Sequence, residues 1–130
     1  MLAPTSPGDV LDRLTILDLK VARIADPARR RQAAAHRDGL RQAWSSHGLP
    51  PVTTLPEHAE LARINGRLWA VEDALRAHEQ AGAFGEDFVA LARSVYRLND
   101  ARAAVKASLD AQLGAPFGDV KSYDADGAAG

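Results

Sequence analysis

The chain has 130 residues, 46% hydrophobic and 25% charged, and a net charge of −1. That describes one globular domain, with no overall field to drive it onto nucleic acid or an anionic membrane. Cysteine is absent, which excludes disulfides and thiol catalysis. The start carries no basic and apolar leader, and no window nears the roughly 18 apolar residues of a membrane span, so a cytoplasmic protein is expected.

Ser6-Pro7-Gly8-Asp9 reads as a helix start, with Ser at the N-cap, Pro at the first helical position and an acid at the third. Val10, Leu14, Leu17, Val21 and Ile24 then recur at helical spacing, which predicts a first helix over about 7–25. Asp26-Pro27 closes it and caps a second helix, about 27–47, whose apolar side is Leu40 and Trp44. Gly48-Leu49-Pro50-Pro51 breaks the chain. Thr54-Leu55-Pro56-Glu57 reads as a capping box opening a third helix, about 55–80, with Leu61, Ile64, Leu68, Val71 and Leu75 as its seam. A turn through Gly82 and Gly85 leads into a fourth helix that ends at Leu113, before Gly114 and Pro116. No segment shows the two-residue alternation of a strand.

The fold class expected is therefore all-α, an antiparallel four-helix bundle with short connections over residues 1–116. A frayed polar tail, 117–130, follows, with Lys121-Ser122-Tyr123 a candidate for docking. Folding the third and fourth helices into a hairpin about residue 83 sets Asn65 near Arg102, Trp69 near Leu98 and Asn99, and Glu72 near Val95 and Tyr96. An antiparallel first helix brings Asp9 or Asp12 toward Lys106, and Lys20 toward Asn99. The third and fourth helices also outrun the first two by roughly 7–9 residues, about two turns, which predicts a two-fold dimer that buries the excess.

The chemistry gathers on the same seam. Phe88, Leu91, Val95, Leu98, Val105 and Leu109 form the apolar stripe of the fourth helix, and Arg102 interrupts it where an apolar residue belongs. A charge set into a seam needs partners, because an unpaired one costs several kcal/mol. Asn65, Trp69, Glu72 and Arg76 form one column on the third helix, facing Arg93, Tyr96, Asn99 and Arg102. Such a cluster is either a polar network that sets helix register or a pocket with aromatic walls and convergent polar groups. Lys20, Lys106 and Lys121 stand out because Arg outnumbers Lys thirteen to three, and a compact ammonium suits anion anchoring or proton transfer. No metal or cofactor is expected: no Glu has a His three residues on, and His36, His47, His58 and His78 read as solvated. Phosphate-cradling glycine loops are missing too, and the Arg29-Arg30-Arg31 run reads as a solvated basic face.

Three ordered blocks resemble a bacterial family catalogued as domain of unknown function 6165. They are Ser-Pro-Gly-Asp-Val-Leu-Asp-Arg-Leu-Thr-Ile-Leu-Asp-Leu-Lys (6–20), Ile-Asn-Gly-Arg-Leu-Trp-Ala-Val-Glu-Asp-Ala-Leu-Arg (64–76) and Leu-Ala-Arg-Ser-Val-Tyr-Arg-Leu-Asn-Asp-Ala-Arg-Ala-Ala-Val-Lys (91–106), followed by Lys-Ser-Tyr (121–123). The resemblance carries no established activity, only an association with sugar-transfer and surface-polysaccharide functions. Its motifs hold Lys20, Asn65, Trp69, Glu72, Arg93, Tyr96, Asn99, Arg102 and Lys106.

The expected function is binding of an anionic small molecule, a sugar phosphate or carboxylate, between helices, in sugar or natural-product biosynthesis. Lys20, Asn65, Trp69, Arg93, Tyr96, Asn99 and Arg102 would bind it. An enzyme acting on that ligand is the alternative, with Glu72 as general acid or base and Lys106 and Arg102 stabilising negative charge. A non-catalytic interaction module is the third reading. A deep pocket would favour the first two, and a filled core with an exposed apolar patch the third.

Overall fold

A computed structural model describes residues 2–114 and 118–121 of the chain. Four helices run up and down: α1 (Pro7–Arg23), α2 (Pro27–Ser46), α3 (Pro56–Ala81) and α4 (Glu86–Leu113). This is the all-α antiparallel bundle that the periodicity predicts. No helix among the described residues is long and apolar enough to cross a membrane.

The helix ends follow from local chemistry. Ser6 Oγ accepts from the Asp9 amide at 3.2 Å, and Asp26 Oδ1 accepts from Ala28 at 3.2 Å, so both predicted caps form. Gly82 stands at φ 65°, where a side chain would be strained, and turns the chain out of α3. The capping box at Thr54–Glu57 does not form. Thr54 belongs to a 3-10 turn, Val52–Thr54, where its Oγ1 donates to Pro51 O at 2.6 Å, and Leu55 stands at the N-cap of α3. α3 thus starts one residue later than the box requires, and Thr54 is not at the N-cap.

The helices are not equal. α1 packs on the other three, whereas α2 packs principally on α1. Pro7, Gly8, Val10, Leu11, Asp12, Leu14, Thr15 and Leu17 are all buried, so the first three turns of α1 are enclosed on several sides. The main core joins Val10, Leu11, Leu14 and Leu17 to Leu40 and Trp44 of α2, Leu61 of α3 and Leu109 of α4. His36 is buried beside Ala33 on the same face of α2. That corrects the reading of all four histidines as solvated: steps of three and four from Ala33 through His36 and Leu40 to Trp44 place it inward.

A second, smaller core of Ile64, Leu68 and Leu98 joins α3 to α4. Beyond it, no residue between Trp69 and Arg97 is buried. The far half of the α3–α4 hairpin thus projects as a two-helix arm, for the reason the lengths imply: 26 and 28 residues against 17 and 20.

The strand expectation also changes. β1 (Leu2–Thr5) pairs antiparallel with β2 (Gly118–Lys121), Leu2 opposite Lys121 and Thr5 opposite Gly118. Neither strand alternates in pattern. They meet because antiparallel α1 and α4 bring the segments before and after them together. Residues 118–121 are therefore paired, where a frayed tail is expected from residue 117; Ser122, Tyr123 and the remaining tail lie outside the described residues.

Candidate functional site

α1 crosses α4 at very short range, and that crossing sets the register of the site. The Gly8 amide donates to Asp110 Oδ1 at 2.6 Å, and a Cβ on Gly8 would lie 2.6 Å from the Lys106 carbonyl oxygen. Close approach places Lys106 Nζ 2.8 Å from Asp9 and 3.6 Å from Asp12. Burial pushes the Asp9 carboxyl up. The hydrogen bond and charge of Lys106, with help from Ser6 and Arg13, outweigh that and hold it below its ordinary value.

From Asp12 a chain of hydrogen bonds crosses the bundle. Asn65 Nδ2 donates to Asp12 Oδ1 and to Thr15 Oγ1, both at 2.8 Å, and Thr15 in turn donates to the Asp12 carbonyl at 2.7 Å. Asn65 Oδ1 accepts from Arg102 Nη1 at 3.2 Å, and Arg102 Nη2 donates to Asn99 Oδ1 at 2.8 Å. Asn65 is buried, and Asn99 and Arg102 are half-buried. The expected juxtapositions of Asn65 with Arg102, and of Asp9 and Asp12 with Lys106, are those of the structure.

Asn65, Asn99 and Arg102 belong to the wall of a groove of about 500 Å³, open to solvent. It lies where α1 ends and the arm of α3 and α4 continues. Ile16, Leu19, Lys20 and Ile24 come from α1, Arg29 from α2, Leu68, Trp69, Glu72 and Arg76 from α3. Arg23 stacks on the Trp69 ring, its guanidinium carbon 5.6 Å from the centroid, which orients the indole by a cation–π contact.

Six of the nine residues singled out from sequence therefore meet here: Lys20, Asn65, Trp69, Glu72, Asn99 and Arg102. Three do not. Lys106 is held in its ion pairs with Asp9 and Asp12 and is not among the lining residues, so it is not assembled with Glu72 as a catalytic pair. Arg93 lines a separate shallow depression with Gly85, Glu86, Val89 and Ala90, and Tyr96 is 52% exposed. Both are exposed, on a side of α4 that points away from α1.

Sequence reading missed the aliphatic wall from α1, and it assigned Arg29 to a solvated face. Arg29 is exposed, but its place in the first turn of α2 puts it at the groove mouth. Thr15 was missed as well, although Asp12 and Thr15 stand three apart among Leu11, Leu14 and Leu17 of α1, and that spacing is the signal that marks them.

Electrostatically the groove is lopsided. Lys20, Arg29, Arg76 and Arg102 line it against one carboxylate, Glu72, and Lys20 is itself engaged. Arg76 is engaged by Asp73. Arg102 bonds only to the neutral amide oxygens of Asn65 and Asn99, and no carboxylate among the described residues neutralises it. No family model, curated protein or solved structure matches the chain.

Proposed function

We propose that the chain binds an anionic small molecule, a sugar phosphate or a carboxylate, in the groove between the end of α1 and the α3–α4 hairpin. Arg102 supports this reading above all else. A half-buried guanidinium is normally met by a carboxylate, since removing its hydration is costly. Here two amide oxygens hold it in place, leave its charge intact and occupy only part of its donor set. A register-setting network needs a neutral donor to Asn65 and no charge at all. A guanidinium that keeps its charge and part of its donor set beside a groove is suited to contact with phosphate or carboxylate.

The aliphatic residues of α1 and the Trp69 ring give such a ligand an apolar wall, while Lys20 and Arg29 add positive potential. The association of the resembling family with sugar transfer makes sugar phosphates the first probes, in a cytoplasmic biosynthetic setting. Binding alone is proposed; of the residues of the enzymatic reading, Glu72 and Arg102 line the groove and Lys106 does not.

Thermal-shift measurements on wild type, Arg102→Leu and Arg102→Lys, against panels of sugar phosphates and carboxylates, test it. A true ligand at about a hundredfold excess over Kd stabilises the protein by about 2.7 kcal/mol, roughly 10 °C in Tm for a domain of this size. Arg102→Leu is expected to fold and lose that response. Arg102→Lys is expected to recover little, because the fork is gone. A ligand that stabilises all three proteins equally removes Arg102 from the site, and a panel without any response overturns the proposal.

A further inference from the structure

Arg93 and Tyr96, which the groove leaves out, share one face of α4 with Val89, Asp100 and Ala103, at steps of four and three residues. All of them are exposed, Val89 and Tyr96 by half or more. The face lies opposite Leu91, Leu98 and Leu109, by which α4 packs inward. Exposed valine and tyrosine on an otherwise solvated helix are ordinary singly. The charges around them are what carries information. Arg93 and Asp100 are opposite in sign and two turns apart, with Tyr96 between them, and neither has an ion-pair or hydrogen-bond partner among the described residues.

We propose that this face docks a second copy of the chain, the two α4 helices running antiparallel across a two-fold axis between Tyr96 and Arg97. In an isologous contact, residue i meets j and j meets i. Antiparallel α4 helices centred there set Arg93 against Asp100 of the second copy, and Asp100 against its Arg93, so the pair forms twice. The same register lays Val89 over the alanines at 103 and 104 of the second copy and brings the two Tyr96 rings to the axis, each beside the exposed Arg97 of the other copy. Ala92 and Ala103 are small enough for close approach of the backbones. A parallel arrangement would instead set Arg93 against Arg93 and is disfavoured by like charge. Self-complementarity of this kind is what a second copy requires and what an unrelated partner does not. Asn99 and Arg102 lie on the side of α4 toward α1, so the groove stays open in the dimer and the inference stands independently of the ligand.

Sedimentation equilibrium on the full chain, from about 1 to 200 µM at low salt, reads the association directly. Wild type is expected to dimerise. Arg93→Asp alone and Asp100→Arg alone each create two like-charge contacts and are expected to weaken the dimer about tenfold or more. Arg93→Asp combined with Asp100→Arg restores the pairs in reverse and is expected to return Kd to within about threefold of wild type. Helical circular dichroism checks that each variant folds; Arg93→Gln replaces any that does not and is expected to weaken the dimer too. A wild type that stays monomeric, a dimer indifferent to the single changes, or a double variant no better than the singles overturns the proposal.

Discussion

Single atoms decide the α1–α4 crossing. Gly8 is helical, so Gly8→Ala would gain up to about 1 kcal/mol from propensity alone. The added Cβ, however, meets backbone at Lys106 and the Asp110 carboxylate at 2.6 and 2.9 Å, and overpacking of this kind costs about 1–3 kcal/mol. The net expectation is a lower urea midpoint at unchanged m-value; a raised midpoint would show that the crossing yields easily. Asp9 gives a pH-dependent counterpart. Its carboxyl titrates below its ordinary value of 3.8 in the folded protein, so its stabilisation is complete above that value and disappears as pH falls through the lower, folded one. Asp9→Asn should therefore be less stable than wild type at pH 7, with the gap closing as pH falls below 3.8 and through the lower, folded value. A gap of constant size between pH 7 and 2 would exclude the Lys106 pairing as its source. Because Asp9 is nearly half exposed, screening keeps the effect small. The Arg102 interruption of the apolar stripe was legible from spacing. The Gly8 contact was not, because a glycine after Ser-Pro reads only as part of a cap.

Element boundaries were the most legible feature of the chain. Caps at Ser6 and Asp26 and the left-handed Gly82 act within one turn of sequence, and each helix begins and ends within about two residues of its expected place. The exception is informative. Ser6 and Thr54 are both followed three residues later by an acid, yet only Ser6 accepts from a helix amide. Ser6→Ala should cost about 1 kcal/mol, whereas Thr54→Ala, exposed and bonded only within its own 3-10 turn, should cost less than about 0.5. Equal losses in denaturant melts would restore the second capping box. Similarly, β1 and β2 carry no pattern of their own, and their pairing comes from the helices they flank.

At the scale of the molecule, stability is unevenly spread. α1 is surrounded, while the arm beyond Trp69 has no buried residue, so local opening should concentrate there. Amide exchange is expected to be fastest across residues 72–96 and slowest around Leu11, Leu61 and Leu109; uniform protection in dilute, monomeric protein would refute an unsupported arm. What the sequence by itself determined is the set of helices, their ends, the hairpin register of Asn65 with Arg102, and the polar cluster that became six of the groove's residues. These depend on spacings of three and four and on caps, interactions between near neighbours along the chain. Only the tertiary structure decided that α1 would be the central helix, that Lys106 would be held by Asp9 and Asp12, and that Arg93 and Tyr96 would face outward. Those outcomes depend on how helices rotate about their axes and how closely they cross, and no local pattern encodes the contact of Gly8 with Lys106, which are 98 residues apart in the chain.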